Sequence, residues 1–168
     1  QSGVINVEGN GTGILFEKMN GSMTDNAITF TQAKDLVVNV KGANGKGIVA
    51  NTSKAVNTTG SVNVIDAHGN AALEVKGTTN KVGQGGDLHS AAQERIVKLS
   101  STVSSFTNSG EMLFGSFTQN GDNYTFASEK ATDRIAVEKT GTTTINFTNS
   151  GKINGVVRLT AANGTQGN

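Results

Sequence analysis

One pattern recurs three times in the first half of the chain and constrains its fold more than any other feature. Val-Ile-Asn-Val opens the stretch Val4 to Phe16, Val-Val-Asn-Val opens Val37 to Ala50, and Ser-Val-Asn-Val opens Ser61 to Val75. Each copy runs from an apolar-Asn-Val core through a Gly/Asn turn into a second apolar stretch. Internal repetition at intervals of tens of residues points to a stacked architecture, in which no single unit can bury its own apolar side. Strand alternation points Ile5, Val7, Val38, Val40, Val62 and Val64 inward. The intervening Asn6, Asn39 and Asn63 then face outward or sit at a corner. There they can form a ladder of hydrogen-bonded identical side chains.

The interval from Asn6 to Asn39 is longer than that from Asn39 to Asn63, so Glu17 to Thr31 reads as added material in the first interval. The second half has its own echo: Phe-Thr-Asn-Ser-Gly occurs at Phe106 to Gly110 and again at Phe147 to Gly151. That wider spacing suggests two coils of about 20 residues, and seven or eight coils for the whole chain. Asn-Gly pairs begin at Asn10, Asn20, Asn44, Asn120, Asn154 and Asn163. Both residues tolerate positive φ, so hairpins with tight turns compete with stacked parallel coils. The repeated strand–turn–strand order favours parallel coils.

Composition bears on the alternatives. Glycine is abundant at 22 residues, charged residues are only 16%, and aromatics are few, which fits a flexible chain. The apolar residues are nevertheless grouped in short runs of Val, Ile and Phe with Thr between them, as strands require. There is no cysteine, hence no disulfide and no thiolate metal site. Net charge is +1 with lysines scattered singly, so no nucleic-acid partner is expected. No apolar run approaches the length of a membrane-spanning helix, so no membrane insertion of this segment is expected. No basic-then-apolar leader opens the chain, and the expectation is a mature or excised piece. Gly77 to Gly86 reads as a loop. Asp87 to Leu99 is the one helix candidate, with Leu88, Ala91, Ala92, Ile96 and Leu99 along one side, although a strand through Ile96 to Val103 competes. Residues 77–100 thus read as a loop or helix insertion in a single domain spanning 1–168. Ala127 to Arg134 reads as a charged, solvated loop. Met19, Met23 and Ile28 are candidates to cover a core end.

Few residues invite chemistry. Asp66 and His68 would face the same side of a strand, an acid/His pair that equally suits an exposed polar turn. His89 has Asp87 two residues before it, but the local sequence offers no further metal ligands. Gly83 to Asp87 faintly resembles a single calcium-repeat unit without tandem copies, and Gly9 to Gly13 lacks the Lys-Ser/Thr ending of a phosphate loop. Asn-x-Ser/Thr triplets at Asn51, Asn57, Asn123 and Asn146 are expected by chance at this composition. No Gly-x-Ser-x-Gly motif occurs. No catalytic, cofactor-binding or metal residue is assigned, and no cofactor is expected.

Asn146 to Thr160 (Asn-Phe-Thr-Asn-Ser-Gly-Lys-Ile-Asn-Gly-Val-Val-Arg-Leu-Thr) and Val38 to Ile48 resemble the repeats of bacterial autotransporter passengers of type V secretion. The large exoproteins of filamentous-haemagglutinin type are a close second likeness. The resemblance covers about half the chain. It implies an all-β fold, a single-stranded right-handed parallel β-helix (solenoid) with loop insertions. It implies a place outside the cell, at the surface of a Gram-negative bacterium, as part of a longer passenger. Its typical role is adhesion, and the expectation is a non-enzymatic segment that binds a host-cell or bacterial surface protein or glycan, with self-association also open. Contacts would come from Glu17 to Thr31, Thr78 to Glu94 or Asp122 to Arg134. Toxin and protease passengers exist too, and the missing serine motif disfavours a protease. The uneven coil length and the absence of a membrane barrel in this sequence depart from the pattern. A glycan-cleaving enzyme built on Asp66 and His68 and a plain structural spacer are the alternatives.

Overall fold

A computed structural model describes residues 3–17 and 29–159. Every regular element among them is a β-strand, and there is no helix. The chain passes through three sheets in fixed rotation. Its first pass is β1 (Gly3–Val7), β2 (Thr12–Phe16) and β3 (Phe30–Gln32). The second is β4 (Leu36–Val40), β5 (Lys46–Asn51) and β6 (Val56–Thr58). The third is β7 (Ser61–Val64), β8 (Leu73–Lys76) and β9 (Lys81–Gln84). The fourth is β10 (Asp87–Ser90), β11 (Val97–Leu99) and β12 (Ser105–Asn108). The fifth is β13 (Glu111–Asn120), interrupted by β14 (Asn123–Ser128), then β15 (Ile135–Lys139) and β16 (Asn146–Asn149). A sixth begins with β17 (Lys152–Ile153) and β18 (Val156–Leu159).

The first sheet runs β1-β4-β7-β10-β13 with β17 beside β13, the second β2-β5-β8-β11-β15-β18, and the third β3-β6-β9-β12-β16. All these pairings are parallel, and only β14 pairs antiparallel, with β13. This arrangement fits a parallel β-helix or solenoid. Side chains from all three sheets meet in one core.

The pairing register explains the repeats. In the first sheet Ile5, Val38, Val62, Leu88, Met112 and Ile153 occupy one column. In the second, Ile48 is flanked by Ile14 and Leu73, and Leu73 by Val97. In the third, Phe30, Val56, Val82, Phe106 and Phe147 align, with the last two rings stacked 5.2 Å apart. Val38, Val40, Val62 and Val64 are fully buried and Val7 nearly so, as alternation requires. Each buried aliphatic side chain is worth about 1.5–3 kcal/mol, and each is covered by its equivalents one pass above and below.

A second column of side chains is polar and, except for the exposed Asn149 at its end, buried. Gln32, Thr58, Gln84, Asn108 and Asn149 share a column at the end of the third sheet. Thr58 Oγ1 donates to Gln84 Oε1 at 2.8 Å, Gln84 Nε2 to Asn108 Oδ1 at 3.4 Å, and Asn108 Nδ2 to Asn149 Oδ1 at 2.7 Å. Gln84 also grips its own corner, donating from Nε2 to Gly86 O and accepting from Gly86 N. The corner itself is built of stacked glycines. A Cβ on Gly86, Gly110 or Gly151 would lie 1.8–2.0 Å from the carbonyl oxygen of Gly60, Gly86 or Gly110, so no side chain fits there.

Several expectations need correction. The interval between the two Phe-Thr-Asn-Ser-Gly copies is one pass, not two: Phe106 pairs directly with Phe147, and the surplus length is the β13–β14 hairpin. The described residues therefore make five full passes and the start of a sixth, not seven or eight. Residues 77–100 hold strands β9, β10 and β11 instead of a loop or helix. Leu88, Ala92, Ile96 and Leu99 all point inward, but a bend between two strands brings them there. Ala127 to Arg134 is not wholly solvated: Ala131 is buried, and Arg134 lies over the Phe114 ring at 4.0 Å and donates to Ala92 O. Burial holds the Arg134 guanidinium below its ordinary pKa. Glu17 to Thr31 falls largely outside the described residues, as do Met19, Met23, Ile28 and the turns at Asn20 and Asn163.

Candidate functional site

The outer face of the first sheet gathers most of the unusual chemistry. Its central column starts with the expected ladder: Asn6, Asn39 and Asn63 are in register. Asn39 Nδ2 donates to Asn6 Oδ1 at 3.2 Å, and Asn63 Nδ2 to Asn39 Oδ1 at 3.0 Å. The next residue in the column is His89, paired with Asn63. Although it faces away from the core, Asn39 is only 6% exposed.

The β13–β14 hairpin lies over this face. β13 leaves the sheet at Gly115, where a Cβ would meet Ala127 O at 2.1 Å, so the bend requires glycine. Gly121, at φ +63°, forms the tip with Asp122, because Asn120 pairs with Asn123. Among the described residues, the Asn-Gly hairpin signal is thus realised at this one place beside parallel strands. Phe126 of β14 stacks on the His89 ring with centroids 4.0 Å apart and planes 10° from parallel. Phe117 packs obliquely on Phe126 at 5.1 Å. Under the tip is a cleft of about 420 Å³ lined by Asn6, Lys41, Gln119, Asp122, Asn123 and Tyr124, with Val4 at its wall. Lys41 pairs with Glu8 at 3.1 Å, and chiefly this partner raises its pKa above the ordinary 10.5.

Below the hairpin base, β10 and β13 bring three titratable groups together. Asp87 and His89 sit two apart on β10 and so share a face. Glu111 is directly opposite Asp87 on β13. His89 Nε2 is 2.8 Å from Glu111 Oε2, and one ligand atom from each of Asp87, His89 and Glu111 lies within 4.8 Å of the others. Lys152, the next residue in the Asp87–Glu111 column, places Nζ 3.8 Å from Glu111 Oε1. A groove of about 580 Å³ opens beside them, floored by the glycine corner and edged by Ser109 and Ser150.

Sequence reading found Asp87 and His89 but not Glu111, which lies one pass further along the chain. The signal was present: Gln84-Gly-Gly-Asp87-Leu-His and Asn108-Ser-Gly-Glu111-Met-Leu are the same unit one pass apart. The stretch Gly83 to Asp87 is that corner unit. Gly9 to Gly13 is a turn leading into a strand; a Cβ on Gly13 would strike Val38 at 2.5 Å. Asp66 and His68 do not assemble as a pair of side chains. The Asp66 carboxylate accepts the His68 backbone N–H at 2.7 Å and closes its own turn. His68 lines a separate cleft of about 240 Å³ with Asn44, Asn70, Gln93 and Glu94. Of the three segments expected to make contacts, Thr78 to Glu94 contributes β9 and β10 to the sheets, and Asp122 to Arg134 supplies the outer strand of the hairpin.

No described helix is long and apolar enough to cross a membrane. Comparison with protein-family models, curated proteins and solved structures returns no match.

Proposed function

We propose that this chain is a non-enzymatic segment of a secreted or surface-exposed bacterial adhesin of autotransporter-passenger type. In this reading the three sheets wind as a right-handed, single-stranded parallel β-helix. A right-handed winding follows the common preference of parallel strand crossovers. The segment belongs at the bacterial surface or beyond it. Its partner is a host-cell or bacterial surface protein or glycan, held against the outer face of the first sheet.

The observation that carries this reading is the β13–β14 hairpin. Most other connections of the described passes are short, but here the segment from Gly115 to Ser128 pairs with itself outside the parallel ladder. A rigid scaffold that extends one strand into an outlying hairpin separates support from contact. The cleft under the tip offers amide, carboxylate, ammonium and phenol groups from β1, the residue after β4 and both arms of the hairpin, as a polar partner requires. The test is adherence of the purified chain to host or bacterial cells. Replacing residues 116–127 with Asn-Gly is expected to abolish adherence while far-UV circular dichroism keeps its strand signature. Undiminished adherence would remove the hairpin from the contact surface.

A second reading draws on Asp87 and Glu111. Their carboxylate oxygens lie within 4.8 Å beside an open groove, near the roughly 5–5.5 Å separation used by retaining glycosidases. A glycan-cleaving chain would lose turnover on Glu111→Gln. No turnover by the unaltered chain on a broad glycan panel would dismiss this reading.

A further inference from the structure

We propose that Asp87, His89 and Glu111 form a binding site for a divalent transition-metal ion of the zinc class. Metal capture here is independent of adhesion. Three features carry it: the kind of donors, their common support, and the open side of the cluster.

The donors are one imidazole nitrogen and two carboxylates, each able to supply one atom within 4.8 Å of the other two. Imidazole with carboxylate suits zinc and its neighbours, whereas calcium and magnesium prefer shells made wholly of oxygen. A tetrahedral zinc ion holds such atoms at about 2.0–2.2 Å from itself. The three groups need only small side-chain adjustments to reach that arrangement, and the direct His89–Glu111 contact at 2.8 Å would open to admit the ion.

The support is rigid. Asp87 and His89 share β10, and Glu111 starts β13 in direct register with Asp87. The His89 ring is held flat against Phe126, which fixes its plane and leaves Nε2 pointing at the carboxylates. Two like charges directly opposite on adjacent strands are unfavourable by themselves. Lys152 offsets this only in part, at 3.8 Å from Glu111 and with its side chain 74% exposed, so it can withdraw as an ion enters. The open side faces the groove edged by Ser109 and Ser150. A fourth position there is open to water or to a carboxylate of a bound molecule, as in sites that keep three protein ligands.

The experiment is calorimetric titration of the metal-free full chain with zinc chloride, and separately with calcium and magnesium chloride. One equivalent of zinc is expected to bind. Affinity should fall by roughly 10–100-fold or more in His89→Ala and in Glu111→Gln. The chain has two histidines, and His68→Ala is expected to bind as the parent does. Far-UV circular dichroism of each variant separates ligand loss from unfolding; should His89→Ala unfold, Glu111→Gln on the outer face carries the test. Absence of saturable zinc binding, binding retained in a folded Glu111→Gln, loss in His68→Ala, or tighter binding of calcium than zinc would each overturn the assignment.

Discussion

Adding one methyl group at the glycine corner should cost more than removing a turn glycine's conformational freedom. In Gly110→Ala the new Cβ would lie 2.0 Å from Gly86 O, against a practical minimum near 3.0 Å. Relief requires a displacement of about 1 Å between successive passes that are spaced about 4.8 Å apart. The obstacle is backbone, so no rotamer change helps. A shift of that size stretches the bonds that close the corner, Glu111 N to Gly86 O at 2.9 Å and Ser109 N to Gln84 O at 2.8 Å. Two such bonds are worth about 1–3 kcal/mol net, and overpacking strain adds about 1–3 kcal/mol. The expected destabilisation is about 4 kcal/mol on these two contributions. Two substitutions calibrate it. Gly121→Ala meets no atom within 4 Å and suffers only from φ +63°, about 1–2 kcal/mol. Gly85→Ala, immediately beside the corner, meets the movable Ser109 hydroxyl at 3.2 Å and should stay within about 0.5 kcal/mol. Urea unfolding followed by circular dichroism gives all three. If Gly110→Ala proves no more costly than Gly85→Ala, the close approach of successive passes at this corner is wrong.

Two further outcomes follow from buried polar groups. Asn39→Ala removes a donor to Asn6 and an acceptor for Asn63, and should lower stability by about 1–2 kcal/mol; an unchanged urea midpoint would show that the ladder contributes nothing. Lys139 is buried, donates to Thr143 O at 2.6 Å, and has its pKa lowered by burial. Its folded value lies below the unfolded 10.5, so folding disfavours its charged form. Its contribution therefore improves as pH rises from the lowered value towards 10.5. Lys41, raised by Glu8, acts in the opposite sense: its contribution is present below 10.5 and fades as pH climbs past its folded value. Urea midpoints between about pH 8 and 11 should thus rise less, or fall more, in Lys139→Met than in the parent, and identical profiles would refute the linkage.

The sequence made the apolar columns and the Asn6–Asn39–Asn63 ladder legible, because period-2 alternation and repeated order both survive in one dimension. It concealed features that depend on which pass lies above which. The column Gln32, Thr58, Gln84, Asn108 and Asn149 varies in residue type while keeping its position, so identity matching passes over it. Asp87 to Leu99 imitated a helix because a bend between β10 and β11 returns Ala92 and Ile96 to the interior at helix-like intervals. The interval from Phe106 to Phe147 hid the hairpin because a second coil and an added strand pair occupy similar length. Glu111 escaped notice near His89 because they are neighbours only across the sheet.

The glycine corner also governs where this molecule can grow. The links from the third sheet to the first are all short: 59–60, 85–86, 109–110 and 150–151 span two positions each, and 33–35 only one more. Links at the other two corners range from short turns to the span that carries the hairpin and the stretch 17–29 between β2 and β3. One seam thus keeps a nearly constant short link, while the other two already hold links of unequal length. A foreign peptide grafted at the hairpin tip between Gly121 and Asp122, where a Cβ meets no atom within 4 Å, should be carried as cargo, whereas the same peptide placed at 85–86 should prise the layers apart.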